Sequence, residues 1–381
     1  MENFVVSARK YRPSNFKSVV GQQHITTTLK NAIKNNHLAQ AFLFCGPRGV
    51  GKTTCARILA KTINCENLTD DFEACNECDS CKAFNSSASF NVHELDAASN
   101  NSVDDIRNLV DQVRYAPQKG NYKIYIIDEV HMLSTQAFNA FLKTLEEPPK
   151  YAIFILATTE KHKIIPTILS RCQIFDFNRI QIKDIGEHLK YIASEEKIEY
   201  EEEALRLIAT KADGALRDAL SIFDLIVTYS AGNKLTYQET IDNLHILDYD
   251  YYFKVTDALL KESIGETLMI FDEILKKGFD GHNFIVGLSE HFRNLMVCKD
   301  PAMVSLLQVS ENAQERYVQQ SAESSLSFIL SALNICNQCD IHYKASKSQR
   351  LHVELALMKL AKLTQAINLA ALAQEDAKKK D

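Results

Sequence analysis

The segment GPRGVGKT at residues 46–53 constrains the fold of this chain most, because it has the GxxxxGK[ST] pattern of a phosphate-binding loop. Its glycines let successive backbone N–H groups turn inward around phosphate oxygens. An apolar run of strand length precedes the loop, and helix-forming residues follow it, as this motif requires. The sequence therefore predicts a nucleotide-binding α/β domain. The residues predicted to surround the phosphates are Gly46, Pro47, Arg48, Gly49, Val50, Gly51, Lys52, Thr53 and Thr54.

A second motif, KIYIIDE at residues 123–129, predicts a buried strand that ends in two carboxylates. Lys52 is predicted to neutralise the β- and γ-phosphates of a nucleotide, while Thr53 and Asp128 hold Mg²⁺, Asp128 directly or through water. Glu129 is predicted to polarise the attacking water. The two motifs together indicate a nucleotide-hydrolysing enzyme.

Strand-like runs alternate with helical patterns in the first half of the chain, which predicts a parallel sheet covered by helices. These runs are Ala41–Cys45, Val92–Leu95, Ile124–Asp128, Ile153–Ala157 and Ile174–Phe177. Beyond about residue 180 the sequence predicts an almost entirely helical chain, with a helix stop at Asp213-Gly214. The apolar face of Leu351–Leu363 predicts a further helix near the end.

Length and charge limit the class of protein. A chain of 381 residues is expected to form two or three domains. The formal charge of −6 argues against a broadly basic surface but allows a local strip that faces nucleic acid. No apolar run approaches 18 residues, and the N-terminus lacks the features of a secretory signal. We therefore expect a cytoplasmic protein that does not interact with a membrane.

Four cysteines form the second informative cluster, with the spacing C-x9-C-x2-C-x2-C at Cys65, Cys75, Cys78 and Cys81. Two-residue spacings let thiolates converge on one tetrahedral ion, so we predict a structural zinc site. A redox-active pair and free thiols are the alternatives. Loss of the zinc is expected to loosen residues 65–81 and to leave the nucleotide site nearly intact. Cys336 and Cys339 are instead predicted to be ordinary thiols of a helix.

Several further segments resemble one family. The start, ARKYRP at residues 8–13, is similar to that of clamp-loader ATPases. The cysteine insertion and the segments DEVHML (128–133), TLEEPP (144–149), LSRC (169–172) and GALRDALS (214–221) narrow this resemblance. Together they are similar to the gamma/tau subunits of bacterial DNA polymerase III, and the match extends from residue 8 to about residue 221.

The resemblance implies an AAA+ ATPase with three domains, in which a P-loop domain with a parallel sheet is followed by a small helical lid and an all-α collar. The expected domains are an ATPase domain at 1–179 with a zinc-binding insertion at 65–81, a lid at 180–242 and a collar at 243–367. A polar tail follows at 368–381. The collars of such subunits join a hetero-pentameric ring.

The resemblance also implies roles for residues outside the two motifs. Thr159 matches the polar residue that senses the γ-phosphate, and Arg217 matches the lid arginine that reaches the same phosphate. Arg171 matches the arginine finger, which acts on the ATP of a neighbouring subunit. Tyr11, Arg12 and Val20 fall where the family shapes its adenine pocket. Without the resemblance, Arg171 and Arg217 would be interpreted as surface residues in ion pairs.

The function implied is that of an ATP-hydrolysing motor within a DNA polymerase holoenzyme, which loads a sliding clamp onto primer–template DNA. Its expected partners are the other clamp-loader subunits, the clamp and the DNA. The alternatives are a non-catalytic scaffold subunit of the same ring and an AAA+ branch-migration or helicase motor. The sequence departs from the family at residues 100–105, which contain no cation where the family often has basic residues that face DNA phosphates. Lys143, on a following helix, is a candidate for such a contact.

Overall fold

The apolar runs predicted as strands form one sheet in the computed structural model, which describes residues 5–117, 120–230, 234–244, 249–307, 309 and 311–367. The strands are β1 (Ala41–Cys45), β2 (Val92–Asp96), β3 (Lys123–Asp128), β4 (Ala152–Thr158) and β5 (Gln173–Asp176). Their order is β2-β3-β4-β1-β5, and every neighbouring pair is parallel. The predicted parallel α/β fold is confirmed. The predicted tail at 368–381 lies outside the described residues.

Helices alternate with these strands and continue after them. The helices of this part are α1 (Ser7–Lys10), α2 (Gln23–Lys34), α3 (Lys52–Ile63), α4 (Asp79–Asn85), α5 (Val103–Val113), α6 (Thr135–Glu146) and α7 (Pro166–Leu169). The segment after the sheet contains α8 (Ile182–Glu195), α9 (Glu202–Lys211), α10 (Leu216–Tyr229) and α11 (Tyr237–Leu244). Short 3-10 turns occur at Phe16–Ser18, Val130–Met132 and Lys161–Lys163.

The sheet has a hydrophobic core on each face, because successive side chains of a strand point to opposite sides. Phe42 and Phe44 of β1 pack in the cluster that contains Leu59 of α3. Leu43, between them, packs in the cluster that contains Phe141 of α6. All five residues of β1 are buried, so the strand that leads into the phosphate-binding loop is fixed on both faces.

The helix stop at Asp213-Gly214 is confirmed, because α9 ends at Lys211 and α10 begins at Leu216. One feature of this region was not predicted. Two short parallel strands, β6 (Glu199–Tyr200) and β7 (Lys234–Leu235), pair beside the helices. Two-residue strands are too short to show an alternating pattern, so the sequence predicted an almost entirely helical chain there.

The chain divides into two compact units, residues 1–237 and 238–381. The first contains the sheet and α1 to α10. The second contains α12 (Tyr249–Leu260), α13 (Ile264–Lys276), α14 (Gly281–Val297), α15 (Glu311–Glu323), α16 (Leu326–Tyr343) and α17 (Gln349–Ala361), with a 3-10 helix at Pro301–Leu306. Its helices surround their own core, which includes Phe271, Phe284 and Phe292.

The division between the units falls near the expected lid–collar boundary at 242/243, and the expected boundary at 179/180 stays a prediction. Among the described residues, no helix is both long and apolar enough to cross a membrane.

Candidate functional site

The phosphate-binding loop connects the end of β1 to the start of α3 at Lys52. Its three glycines have positive φ angles, +148° at Gly46, +77° at Gly49 and +102° at Gly51. Residues with a side chain rarely adopt such angles. At Gly46 a Cβ atom would also lie 2.5 Å from the backbone oxygen of Phe177. The backbone of the loop therefore requires glycine, as the motif predicts.

Lys52 lies inside the loop with a side chain that is almost completely buried. Its relative exposure is 6%, and its Nζ donates to the carbonyl oxygens of Gly46 at 2.8 Å and Pro47 at 2.7 Å. Burial lowers the pKa of Lys52, while the charges of Glu129 and Asp128 oppose that shift. Neutral carbonyls are weaker acceptors for an ammonium group than phosphate oxygens, so Lys52 is held where an anion would attract it more strongly.

The predicted magnesium ligands meet in the structure although they are 75 residues apart. Thr53 Oγ1, in the first turn of α3, donates to Asp128 Oδ2 at 2.6 Å. The other carboxylate oxygen, Asp128 Oδ1, accepts from the N–H of Glu129 at 3.0 Å. A hydroxyl and a carboxylate are the oxygen ligands that Mg²⁺ prefers, and Mg²⁺ commonly retains waters beside one or two protein ligands. This donor set fits magnesium.

Glu129, predicted to polarise the attacking water, leaves β3 in the left-handed backbone region with φ of +48°. One of its carboxylate oxygens, Oε2, accepts from the N–H of Thr159 at 3.1 Å and from Thr159 Oγ1 at 3.0 Å. The predicted base and the residue predicted to sense the γ-phosphate are therefore hydrogen-bonded to each other.

His131 belongs to this group of side chains, and the sequence did not predict it. Its imidazole lies between two carboxylates, with Nδ1 3.4 Å from Glu129 Oε2 and Nε2 3.0 Å from Glu160 Oε2. Nδ1 is also 3.0 Å from Thr158 Oγ1. The only signal in the sequence was the presence of a histidine two residues after an acidic pair.

The segment before α10 lies against the phosphate-binding loop. The N–H of Arg217 is 3.4 Å from the carbonyl oxygen of Gly49, and a Cβ atom on Gly49 would be 3.0 Å from Ala215 Cβ. Arg217 is exposed, as is Arg48 of the loop, whereas Val50 is buried. The backbone of Arg217, the arginine predicted to belong to the lid, therefore lies beside the phosphate-binding loop.

Arg12 also lies beside the loop, because its Nε donates to Thr54 Oγ1 at 3.2 Å. The pKa of Arg12 is lowered first by burial and then by the like charge of Arg57, while Glu94 opposes the shift and Arg217 contributes to it. Arg57, in α3, was not predicted as a site residue; it pairs with Glu94 of β2. The charges of Arg57 and Arg217 therefore both act on Arg12, and that of Arg57 is paired with Glu94.

The residues assigned to the adenine pocket have other contacts in the structure. Tyr11 donates its hydroxyl to Glu196, just after α8, and its ring packs edge-on against Tyr191 of that helix. Val20 is half-buried. These contacts attach the N-terminal segment to the helices after the sheet, and the adenine pocket stays a prediction.

Arg171 follows α7, and its hydrogen-bond partners are not residues of the phosphate-binding loop. Its Nη1 donates to the carbonyl oxygen of Thr167 at 2.7 Å, and its Nη2 donates to Glu146 Oε1 at 2.7 Å. The side chains of this ion pair are 33% and 47% exposed. An exposed guanidinium of this kind is accessible to a neighbouring molecule.

The four cysteines of the insertion converge, with all four sulfur atoms within 4.8 Å of one another. Cys65 Sγ lies 3.5 Å from Cys75 Sγ and 4.0 Å from Cys78 Sγ. Sulfurs about 2.3 Å from one tetrahedral ion would be about 3.8 Å apart. Cys81 completes the set from the first turn of α4. The cluster is therefore compatible with zinc.

Backbone donors favour the thiolate at one cysteine of this cluster, Cys75, whereas burial raises the pKa of Cys65 and of Cys81. The N–H groups of Cys78 and Glu77 lower the pKa of the Cys75 thiol to about 6. The N–H of Cys81 lies 3.4 Å from Cys78 Sγ. Cys336 and Cys339 are instead buried in the middle of α16, where burial raises the pKa of each thiol.

Known proteins provide an independent comparison. A family profile described as "DNA polymerase III, delta subunit" matches residues 21–181, and one described as "DNA polymerase III clamp loader subunit, ATPase lid domain" matches residues 184–232. Among solved structures, the RuvB Holliday junction branch migration motor of Thermotoga maritima has 19% identity and a TM-score of 0.47. That match covers 66% of this chain and 79% of the RuvB chain.

Curated relatives match this chain over most of its length. DNA polymerase III subunit tau of Bacillus subtilis is 41% identical over 353 residues, which are 92% of this chain and 62% of the relative. DNA polymerase III subunit gamma of Buchnera aphidicola (Acyrthosiphon pisum) is 34% identical over 363 residues, which are 94% of this chain and 99% of the relative. The chain thus spans less than two thirds of the tau subunit and nearly all of the gamma subunit. On this evidence, and as its motifs predicted, the chain belongs to the gamma/tau subunit family of DNA polymerase III.

Proposed function

We propose that this chain is an ATP-hydrolysing motor subunit of a DNA polymerase III clamp loader, which loads a sliding clamp onto primer–template DNA. The observation that carries the proposal is the contact between Thr53 and Asp128, with Lys52 in the loop beside them and Glu129 next in sequence. These four residues supply the cation, the metal ligands and the base that phosphoryl transfer to water requires.

ATP would bind with its phosphates against the N–H groups of the loop and the start of α3, where the helix dipole favours negative charge. Lys52 would leave the carbonyls of Gly46 and Pro47 for the β- and γ-phosphates. Mg²⁺, held by Thr53 and Asp128, would neutralise charge that develops on the phosphate oxygens.

Glu129 would orient the attacking water. Thr159 would contact the γ-phosphate, and its hydrogen bonds to Glu129 would couple the position of that carboxylate to the presence of the phosphate. Arg217 would reach the same phosphate from the start of α10. Arg171 would act on the ATP of a neighbouring subunit, so hydrolysis would depend on assembly.

The four cysteines of the insertion would hold one structural zinc ion, with no open coordination position. The distances between their sulfur atoms support this assignment over a redox pair, because a redox pair needs two cysteines and four converge here. We place the protein in the cytoplasm, in a hetero-pentameric ring with the other clamp-loader subunits. The DNA and the clamp are its expected partners within that ring.

The alternatives have less support. The relatives are named as subunits of DNA polymerase III, which favours the clamp loader over a branch-migration motor. A non-catalytic scaffold subunit would not need Lys52, Thr53, Asp128 and Glu129 together, and this chain retains all four.

A reconstitution tests the proposal. The chain is assembled with its partner subunits, a sliding clamp and primed DNA, and ATP turnover and clamp retention on closed circular DNA are measured. We expect turnover that rises when clamp and primed DNA are added together, and retention of clamps that requires ATP. Turnover that ignores both additions, or loading that proceeds without ATP, would overturn the proposed function.

A further inference from the structure

His131 has a position that the proposed mechanism does not use. Its side chain is only 6% exposed and lies between the carboxylates of Glu129 and Glu160, as described above. Glu129 directly follows β3, and Glu160 lies two residues after the end of β4. Since β3 and β4 are neighbours in the sheet, their carboxyl ends bring these residues together.

The hydrogen-bond partners of His131 lie on both edges of its ring. A hydrogen bond from Lys163 lowers the pKa of Glu160, which keeps this carboxylate ionised and able only to accept. Nε2 must therefore donate to Glu160. On the other edge, Thr158 Oγ1 lies 3.0 Å from Nδ1, and a hydroxyl can donate to this nitrogen or accept from it; the same oxygen accepts from the N–H of Glu160 at 3.0 Å. Both edges of the ring are then fixed, which holds the imidazole in one orientation.

The two carboxylate oxygens of Glu129 have different surroundings. Oε2 accepts two hydrogen bonds from Thr159 and is in contact with Nδ1 of His131. Among the part of the chain that the structure describes, no residue donates to Oε1. Oε1 is therefore the oxygen left for a water molecule, and Oε2 is the oxygen by which the protein holds the carboxylate.

We propose that His131 is a positioning residue for hydrolysis: fixed by Glu160 and Thr158, it restricts the carboxylate of Glu129 so that Oε1 faces the attacking water. This inference rests on the proposed function, in which Glu129 orients that water. Glu129 has a left-handed backbone conformation, which persists only where the surrounding structure fixes it. Small displacements of a reacting group reduce rates strongly.

The test separates ATP binding from turnover. For His131→Ala in the assembled complex, we expect kcat to fall by about 10- to 100-fold, while ATP affinity of the chain changes by less than about threefold. Glu160→Gln should lower kcat in the same direction by a smaller factor, because its amide can still accept from Nε2. The control is His162→Ala: His162 is exposed and lies 3.9 Å from the same Glu160. It should turn over ATP as the unaltered chain does.

A double variant tests whether His131 acts through Glu129. In single-turnover measurements, His131→Ala should lower the residual rate of Glu129→Gln little or not at all, whereas independent effects would multiply. Normal kcat in His131→Ala, with Glu129→Gln impaired, would overturn this inference and leave the proposed function intact. Normal kcat in Glu129→Gln would overturn the role given to Glu129 in the proposed function itself. If His131→Ala does not fold, Glu160→Gln and its double variant with Glu129→Gln decide the question.

Discussion

At the scale of single residues, the proposed function gives Lys52 and Glu129 two separable tasks within one site. Lys52 is a buried cation held by loop carbonyls, so its contribution belongs to phosphate binding. Glu129 makes its hydrogen bonds with Thr159, and in the proposed function it orients the attacking water, so its contribution is expected in the chemical step. Substitutions at the two positions should therefore give different defects.

Lys52→Ala is expected to weaken ATP binding by about 1.5–3 kcal/mol, because it removes a charge-assisted hydrogen bond to phosphate. Glu129→Gln is expected to retain ATP affinity and to hydrolyse ATP poorly, since an amide cannot accept a proton from water. Equilibrium binding of a fluorescent ATP analogue and steady-state hydrolysis measure the two effects. Thermal unfolding of both variants controls for misfolding. Unchanged ATP affinity in folded Lys52→Ala would contradict the assignment of the site.

At the scale of secondary-structure elements, local patterns such as apolar runs predict strands and loops. Contacts between residues that strand pairing brings together have no such local pattern. β1 and β4 were predictable because every one of their residues is buried, which leaves a continuous apolar run. The loop was predictable because its backbone needs positive φ angles at three positions, and the sequence has glycine at each of them. The contact of His131 with Glu160 was not predictable, because it depends on β3 lying beside β4. The pairing of Arg57 with Glu94 joins α3 to β2 and has no local signal for the same reason.

Glu73 connects the cysteine insertion to the N-terminal segment through contacts between residues that are distant in the sequence. It lies between Cys65 and Cys75, and its carboxylate is buried. It accepts from the N–H groups of Phe16 at 3.0 Å and Lys17 at 3.1 Å, and its Oε1 lies 2.6 Å from Lys30 Nζ. The insertion therefore supports the N-terminal segment that precedes Val20.

Removal of the metal should consequently loosen the turn at residues 16–18 together with residues 65–81, while Lys52 keeps its contacts. Elemental analysis should find about one zinc per chain. Hydrogen exchange before and after chelation measures the loosening. Exchange at residues 16–18 that does not respond to chelation would show that the insertion is not a support for this segment.

Glu73→Gln is the substitution that isolates this support. An amide offers one acceptor oxygen where the carboxylate offers two, so we expect a loss of about 1–3 kcal/mol in the free energy of unfolding. Zinc content should stay the same. Glu66→Gln, at an exposed position of the same insertion, is the matched control and should change stability little.

At the scale of the whole molecule, the question is whether one chain completes its own site. Arg171 makes its contacts with Glu146 and Thr167, and its exposed ion pair is of a kind that contributes little to stability. Little free energy therefore opposes the release of this guanidinium to another chain. This observation supports the proposal that Arg171 acts on a neighbouring subunit.

Arg171→Ala should leave ATP binding by the isolated chain nearly unchanged and should lower hydrolysis in the DNA-stimulated complex by a factor on the order of 10³. Mixing separates action on the chain's own ATP from action on the neighbour's. Arg171→Ala subunits retain Glu129, and Glu129→Gln subunits retain Arg171, so each mixed interface of the right order contains one complete site. Two inactive preparations should therefore regain hydrolysis when they assemble together, because the arginine of one chain completes the site of the next. If mixtures stay inactive, or if the isolated Arg171→Ala chain loses ATP affinity as Lys52→Ala does, the arginine serves its own chain and the site does not need a neighbour.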